Sequence, residues 1–211
     1  MLYIKTESVV KTSWEEIKAA VKAGTVKGLL HSRDCIPVAL KNGEEITIVV
    51  AYNETGKMFF TFDNCLDDPA QMNARYTNAG GWAASKMRRH LNETVFALFP
   101  DDLQAVIEPT RIVQVIDGER VECEDKLFLL SKTQVFGKGP WSDYEPEDSP
   151  LDIFTGERSR VKERADYGTE WWWLRSPESS SSSAFADVNG NGSSYSNGAS
   201  NSYGVAPGFC L

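Results

Sequence analysis

The spacing of hydrophobic residues near the start of the chain is helical. Trp14, Ile17 and Val21 recur at every third or fourth position, so they share one face of a helix. Ser13 and Glu16 precede them with the S-x-x-E spacing of a capping box. The pattern predicts a helix that begins at Ser13 and ends near the following glycine.

Strand patterns follow this helix. The segments CIPVAL, EEITIVVAY and MFFTFD are rich in β-branched and aromatic residues, and KNG and NETGK between them favour hairpin turns. The segment AGGWAASKMRRHLNETVFALFP is then typical of a second helix, with Trp82, Met87 and Leu91 on one face. Pro100 can open a further short helix through DDLQAVI. RIVQVI and DKLFLLS again indicate strands, and the Pro-, Gly- and acid-rich segment 137–160 indicates a long loop.

A polar tract interrupts the apolar segments at the end of the chain. EWWWLRS, AFADV and YGVAPGF each resemble a short strand, whereas Ser179–Tyr203 consists mainly of Ser, Asn, Gly and Tyr. This composition is typical of linkers, but the flanking strands predict a surface carried by a folded scaffold. We expect Ser179–Ser183 to form one exposed loop and Asn189–Tyr203 to form an irregular excursion. Buried positions are expected at Phe185, Val188, Val205 and Phe209.

Three consecutive tryptophans precede the polar tract. On a strand, Trp171 and Trp173 would share one face and Trp172 would occupy the other. Large aromatic side chains next to Leu174 favour a place in the core, although a platform that stacks on sugar is the alternative.

Composition and charge narrow the functional classes. The 211 residues are 41% hydrophobic and 25% charged, which is typical of a globular protein. Thirty acidic and 22 basic residues give a net charge of −8, and no Lys or Arg follows Arg175, so we expect no nucleic-acid partner. We also expect no membrane insertion and no Sec signal peptide, because the chain has no long apolar run and no basic start before an apolar segment. We predict one domain over residues 1–211; the alternative is two subdomains divided near Asp143.

The segment DVNGNG resembles the opening of an EF-hand calcium loop. Asp187, Asn189, Asn191 and Gly192 fit its first positions. The twelfth position, which should be a bidentate Glu, is Gly198, and no helical pattern flanks the segment. We therefore expect no metal site and no other cofactor.

The segment HSRDC brings a potential nucleophile close to a histidine. His31, Asp34 and Cys35 invite a hypothesis in which imidazole activates a thiolate, with His90 as a second candidate partner. The cluster has no elbow or oxyanion motif, and a turn that leads into a strand explains it equally well. We therefore expect no catalytic residue. The four cysteines, Cys35, Cys65, Cys123 and Cys210, form no C-x-x-C pair. The sequence therefore indicates neither a zinc site nor a redox dithiol.

Several segments together resemble a known family. KLFLLS, WWWLRSP and GVAPGFCL, with TSWEEIKAAVKAG upstream, look like the variable proteins of diversity-generating retroelements. These bacterial and phage proteins have the C-type lectin fold, which they share with formylglycine-generating-enzyme-like proteins. The resemblance covers most of the chain and is most specific for residues 126–211. It implies a single α+β domain with short antiparallel strands, two main helices and long irregular loops.

The resemblance also implies a cause for the polar tract. In such systems an error-prone reverse transcriptase replaces adenines, and AAY codons for Asn then become codons for Ser, Gly, Asp, Tyr or Ala without creating stop codons. These residues dominate the tract, and the resemblance implies a variable ligand-binding region at about residues 175–204. The implied ligand-binding positions are Ser179, Ser180, Ser181, Ser182, Ser183, Ala184, Asp187, Asn189, Asn191, Ser193, Ser194, Tyr195, Asn197, Ser202 and Tyr203.

The function implied by the resemblance is binding without catalysis. The partner would be a protein or glycan receptor on another cell, and the protein would belong to a phage virion or a bacterial cell surface. Only Tyr195 and Tyr203 supply aromatic anchors in the tract, so we expect this variant to bind its target weakly or not at all. One alternative is an enzyme related to the formylglycine-generating group that uses Cys35, although the paired active-site cysteines of that group have no counterpart here. The other alternative is a constant glycan-binding module built on the tryptophans.

Overall fold

The computed structural model describes residues 12–211, and it combines short helices with antiparallel sheets in an α+β fold. Residues 1–11, which include most of the segment where we expect no signal peptide, lie outside the described residues. No helix among residues 12–211 is both long and apolar enough to cross a membrane.

The first helix begins as predicted. The Glu16 backbone N–H donates to Ser13 Oγ at 3.3 Å, and the Ser13 N–H donates to the Glu16 carboxylate at 2.9 Å, which completes the capping box. The α-helices of the described residues are α1 (Trp14–Lys22), α2 (Gly81–Ala84), α3 (Lys86–Arg89), α4 (Asp101–Val106) and α5 (Lys132–Phe136). Short 3-10 helices cover Val26–Gly28, Phe96–Leu98, Pro140–Tyr144 and Glu157–Arg160, and a π-helix covers His90–Val95.

The expectation of two main helices is wrong. The second helical region is divided because Ser85 adopts an extended conformation, with φ −66° and ψ 149°, which ends α2. The Ser85 hydroxyl then accepts a hydrogen bond from the Arg88 N–H at 3.0 Å and caps α3, so α3 starts as a separate helix. The side chains predicted to share a face are nevertheless all buried: Trp82, Met87 and Leu91.

The strands of residues 12–211 form five sheets, all with antiparallel pairing. They are β1 (Cys35–Ala39), β2 (Glu45–Tyr52), β3 (Met58–Phe62), β4 (Ala70–Gln71), β5 (Thr110–Ile116), β6 (Glu119–Asp125), β7 (Phe128–Leu129), β8 (Lys162–Arg164), β9 (Gly168–Glu170), β10 (Trp172–Pro177), β11 (Ala184–Val188), β12 (Ser194–Gly198), β13 (Ser202–Tyr203) and β14 (Pro207–Phe209). The main sheet has the order β1-β2-β3-β14-β7, and a three-stranded sheet has the order β10-β11-β12. Two-stranded sheets pair β13 with β4, β5 with β6 and β8 with β9.

The hairpin of β5 and β6 contains a strand that the hydrophobic pattern does not reveal. Glu119–Asp125 is mostly charged and partly exposed, so it lacks a strong apolar alternation. Asp117 and Gly118 connect the strands with φ values of 53° and 82°, as a two-residue hairpin turn requires. Arg111 and Arg120 both pair with Glu122, which holds the exposed face of the hairpin together.

The last strand of the chain completes the main sheet. β14 lies between β3 and β7, so Phe209 enters a cluster of aromatic rings from the N-terminal half. Its ring stacks on Phe60 with centroids 5.1 Å apart, and Trp14 and Phe99 contact it edge-on at 6.3 and 5.9 Å. As predicted, Phe185, Val188, Val205 and Phe209 are all fully buried.

The long loop is packed against the rest of the protein. Leu151 and Ile153 belong to the same hydrophobic cluster as residues before and after Asp143, where two subdomains would divide. Glu145 is buried and accepts hydrogen bonds from the Thr133 N–H and hydroxyl of α5, at 3.1 and 2.9 Å. It also bonds to the Ser176 hydroxyl of β10. Segment 137–160 is therefore tied to the elements that carry the polar tract.

Truncation of the last core aromatic should destabilise the whole protein. Phe209→Ala removes a fully buried ring and leaves a cavity among Trp14, Phe60 and Phe99, which should cost roughly 3–5 kcal/mol. For a protein of this size the melting temperature should fall by on the order of 10 °C in calorimetry. The matched control is Tyr167→Ala, which removes a 66% exposed ring. Equal melting temperatures for the two variants would contradict this role of β14.

Candidate functional site

The polar tract is folded into sheets, which corrects the expectation of an irregular excursion. Within it, β12 pairs with β11 along its whole length, and β13 pairs with β4. The strands form despite their polar composition because their backbone groups find partners on neighbouring strands whatever the side chains are. The tract and the strands that carry it are together called the display sheet below: the three-stranded sheet β10-β11-β12 and the neighbouring strand β13, which pairs with β4.

The implied ligand-binding residues lie together on and around the display sheet, but their exposure differs. Half-buried side chains are Ser181, Ser183, Asn189, Ser193, Asn197 and Tyr203. Exposed side chains are Ser179, Ser180, Ser182, Asn191, Ser194, Tyr195 and Ser202. These exposed residues form the surface that a partner can contact directly.

Two of the implied positions are buried instead of displayed. Ala184 is 7% exposed and Asp187 is 0% exposed. Both lie on β11, the middle strand between β10 and β12, and all five residues of β11 are buried, so both faces of this strand are covered. A ligand on the surface does not reach these side chains, so their expected place on the contact surface is wrong.

Asn78 holds the loop that begins the tract. Its side-chain N–H groups donate to the backbone oxygens of Ser181 at 2.7 Å and Ala184 at 2.9 Å, with a longer contact to Glu178 O at 3.3 Å. Its backbone N–H donates to Ser182 O at 3.0 Å. All four acceptors are backbone atoms. These contacts from Asn78 do not depend on the side chains of the loop. Within the loop, the Ser183 N–H also donates to Ser181 Oγ at 3.3 Å.

The turn before β12 depends on two residues of the tract itself. Asn189 Oδ1 accepts from the N–H groups of Asn191 and Ser193, both at 3.0 Å, as in an Asx turn. Gly192 has φ +83°, and a Cβ atom there would lie 1.9 Å from the carbonyl oxygen of Glu157. Asn189 and Gly192 therefore fix the turn.

Among residues 12–211 no group of three or more His, Cys, Asp or Glu is arranged to hold a metal ion.

Aromatic rings pack behind the exposed tyrosine. Trp171 stacks on Tyr203 with centroids 5.8 Å apart and meets Tyr195 edge-on at 5.4 Å. Trp173 contacts Tyr203 at 4.9 Å, whereas Trp172 stacks on Phe154, so the tryptophans alternate between faces as expected. Trp172 and Trp173 are fully buried, as a core role requires, and Trp171 is half-buried. Tyr195 is 54% exposed and thus presents a ring supported from behind.

Tyr76 is a surface residue that the sequence analysis does not identify. Its ring is 64% exposed and lies directly over Gly198 of β12, where a Cβ atom would be 1.6 Å from a ring carbon. The segment around Tyr76 has no strand or helix pattern that indicates a site. The glycine within an otherwise regular strand is the one signal that another group approaches closely. Tyr76 therefore adds an aromatic side chain to the display sheet.

Asp187 is a buried titratable residue of the display sheet. Its Oδ2 accepts from Asn197 Nδ2 at 2.8 Å, and its Oδ1 has no hydrogen-bond partner among the described residues. Burial away from water disfavours the charged carboxylate and raises the pKa of Asp187 from 3.8 to about 7. Its protonation state therefore changes near neutral pH.

The histidines and cysteines considered as catalytic candidates lie outside the display sheet. His31 is exposed, and its Nδ1 is 3.7 Å from the Asp34 carboxylate. The Cys35 thiol contacts the Arg33 carbonyl at 3.5 Å. Burial lowers the pKa of His90 and raises the pKa of the Cys65 and Cys123 thiols to about 12, so these two thiols resist ionisation.

Comparison with known proteins gives one match. The family model of a domain of unknown function (DUF6273) matches residues 55–211, which include Tyr76, Asn78 and the whole display sheet. Neither a curated protein nor a solved structure matches the chain.

An increase in pH from about 4 to about 7 should destabilise the protein through Asp187. The unfolded chain releases this proton near its ordinary pKa of 3.8, whereas the folded protein retains it until the pKa of about 7 is reached. Each pH unit in this window lowers the free energy of unfolding by about 1.4 kcal/mol, to a total of about 4 kcal/mol. Urea denaturation at a series of pH values measures the loss.

Asp187→Asn is the matched control for this pH dependence. The amide keeps the shape of the side chain but does not titrate, so the variant should gain stability relative to the unsubstituted protein as the pH rises through the window. Parallel stability profiles for the two proteins would show that the Asp187 pKa is not raised by folding.

Proposed function

Since the chain belongs to the DUF6273 family, a domain of unknown function, we propose a function from the geometry of the site. The protein is a non-enzymatic binding protein whose display sheet contacts a protein or glycan receptor on another cell. Its exposed positions vary through adenine mutagenesis by a retroelement, and the variation changes the receptor that is bound. The protein belongs to a phage tail or a bacterial cell surface.

One observation carries this proposal: the conformation of the tract is largely independent of its exposed side chains. Asn78 holds the first loop through backbone oxygens, and the Ala199 N–H donates to Ser183 O at 2.8 Å. Ser179, Ser182 and Ser194 meanwhile point to solvent. Surface substitutions at such positions usually change stability by no more than about 0.5 kcal/mol. A binding surface that varies in sequence needs this separation of side chain from backbone.

The chemistry of the surface supports recognition. Tyr76 and Tyr195 provide rigid exposed rings, and the serines and asparagines around them provide adaptable hydrogen bonds, which is the mixture found in antibody loops. Tyr76 lies outside the tract, so the aromatic area is larger than the tract alone supplies. This favours a tighter contact than two tyrosines alone would give.

The C-type lectin fold is part of the proposal. The pairing of β14 with β3 and β7 supports it, because the last strand returns to the sheet of the N-terminal half. Segment 130–206 then leaves and rejoins the main sheet as one long excursion that carries the display sheet.

A display library tests the proposed function. We expect variants randomised at Ser179, Ser182, Ser194, Tyr195 and Ser202 to yield different binders when they are selected on intact cells of different bacterial species. A control library is randomised at exposed positions of α1, α4 and β6, which are Glu15, Lys22, Asp102 and Glu119. It should yield no enrichment, because none of these elements belongs to the display sheet.

Two outcomes would contradict the proposal. Equal enrichment from both libraries would mean that binding is not localised to the display sheet, and no enrichment from either would remove the binding function. The DNA provides a separate test of diversification: gene copies should differ at adenines of the exposed codons, beside a reverse-transcriptase gene and a near-repeat of the 3′ end. Substitutions spread evenly over all bases would contradict mutagenesis by a retroelement.

A further inference from the structure

A separate cavity lies next to the start of the tract. It opens between the 3-10 helix Pro140–Tyr144, Lys132 of α5 and segment 176–179, and its volume is about 200 Å³. This is below the roughly 300–1,000 Å³ typical of sites for drug-sized ligands. The cavity therefore has room for a single ring with one substituent.

The apolar wall of the cavity is already formed. Trp141 is held in place because its Nε1–H donates to Gly137 O at 3.0 Å and because Gly139 packs against its ring, where a Cβ atom would approach to 2.6 Å. Tyr144 is 39% exposed and lines the same cavity, together with Pro177. A flat ligand ring would find aromatic and prolyl surface without rearrangement of the protein.

The charge at the cavity is a lysine without a carboxylate partner. Lys132 Nζ lies over the Trp141 ring, 4.6 Å from its centroid, and no carboxylate of the described residues is within 4.0 Å of it. Some lysines of this acidic protein are paired, such as Lys18 with Glu108, Lys41 with Asp101 and Lys138 with Glu54. Others, such as Lys57 over Phe59, lie over a ring as Lys132 does, but only Lys132 among them lines this cavity. The Lys132 ammonium group is thus available to an anion that enters the cavity.

The two acidic side chains that line the cavity have other partners. Glu145 accepts from Thr133 and bonds to Ser176, and burial raises its pKa, which disfavours its charged form. Glu178 accepts from the Ser180 hydroxyl at 3.2 Å. Neither forms an ion pair with Lys132. Asp187 interacts with Lys132 electrostatically without an ion-pair contact, and burial raises the pKa of Asp187 to about 7, which disfavours its charged form. An added carboxylate would supply the missing counter-charge.

We propose that this cavity binds a small organic anion in which a carboxylate is attached to a ring. The carboxylate pairs with Lys132, and the ring lies against Tyr144 and Pro177. An acidic sugar and an aromatic acid share this chemistry. Apart from Ser179, the lining is built outside the implied variable positions, so the proposal does not rest on diversification of the tract.

Titration with matched ligands tests the proposal. The indole N–H of Trp141 is followed in ¹H–¹⁵N correlation spectra and assigned by its loss in Trp141→Phe. We expect glucuronate or benzoate to shift this resonance saturably, and their neutral counterparts, glucose and benzamide, to bind at least tenfold more weakly. Acetate, which has the charge but no ring, should also bind at least tenfold more weakly.

Substitution of single lysine residues provides a second test. Lys132→Met removes the ammonium group but keeps an unbranched side chain, and the loss of one charge-assisted contact should weaken binding about tenfold or more. Lys57→Met is the matched control, because Lys57 also lies over a ring, 5.2 Å from the centroid of Phe59, but away from the cavity. This control should bind as the unsubstituted protein does.

The outcomes separate the two ligand sources and can overturn the proposal. A response to glucuronate alone indicates an acidic sugar, one to benzoate alone indicates an aromatic acid, and a response to both supports the shared chemistry. Equal binding of the charged ligands and their neutral counterparts overturns the proposal, as does a Lys132→Met variant that binds normally. The absence of a saturable shift with any ligand also overturns it. The ligand comparison remains decisive if Lys132→Met does not fold.

Discussion

The side chain of Asn78 is the contact on which the display sheet depends. An exposed loop of serines gains little stability from its own hydroxyl groups, because they bond as well to water as to one another. Asn78 instead binds backbone oxygens of the loop, including those of Ser181 and Ala184. Backbone oxygens are present whatever residue occupies a position. This chemistry allows a fixed conformation and a changing surface in the same segment.

The parts of the fold that could be predicted are those with a local signal. The capping box of α1 and the hydrophobic strands needed only neighbouring residues. The charged strand β6 has only a weak apolar alternation, at Val121 and Cys123, although the Asp117–Gly118 turn before it is a hairpin signal. Helix α5 also carries a signal, because Ser131 and Gln134 have capping-box spacing. No local pattern could predict that β14 pairs with β3 and β7, since its partners are distant in the sequence.

The sequence predicted where the candidate site lies, but not which of its residues are exposed. Composition alone drew attention to the tract, yet it did not distinguish the exposed Ser194 from the buried Asp187. Their burial depends on the place of each strand, because Asp187 lies on the middle strand β11 and Ser194 lies on the edge strand β12. It also could not show that Asn189 holds a turn. Tyr76 and Asn78 come from a segment about 100 residues earlier, and only the folded chain brings them to the tract. Variation of the surface therefore has limits that composition does not reveal.

Amide hydrogen exchange at Glu178 and Ala199 tests this account most directly, since their N–H groups bond to Ala184 O and Ser183 O inside the tract. We predict that a protein with Ser179, Ser182, Ser194 and Ser202 all changed to Tyr keeps the protection of both amides. Asn78→Ala, a single change outside the tract, should lower that protection about tenfold or more, because each lost hydrogen bond contributes about 1 kcal/mol. Loss of protection in the fourfold variant, with protection kept in Asn78→Ala, would show that the tract's own side chains determine its conformation and would contradict the account.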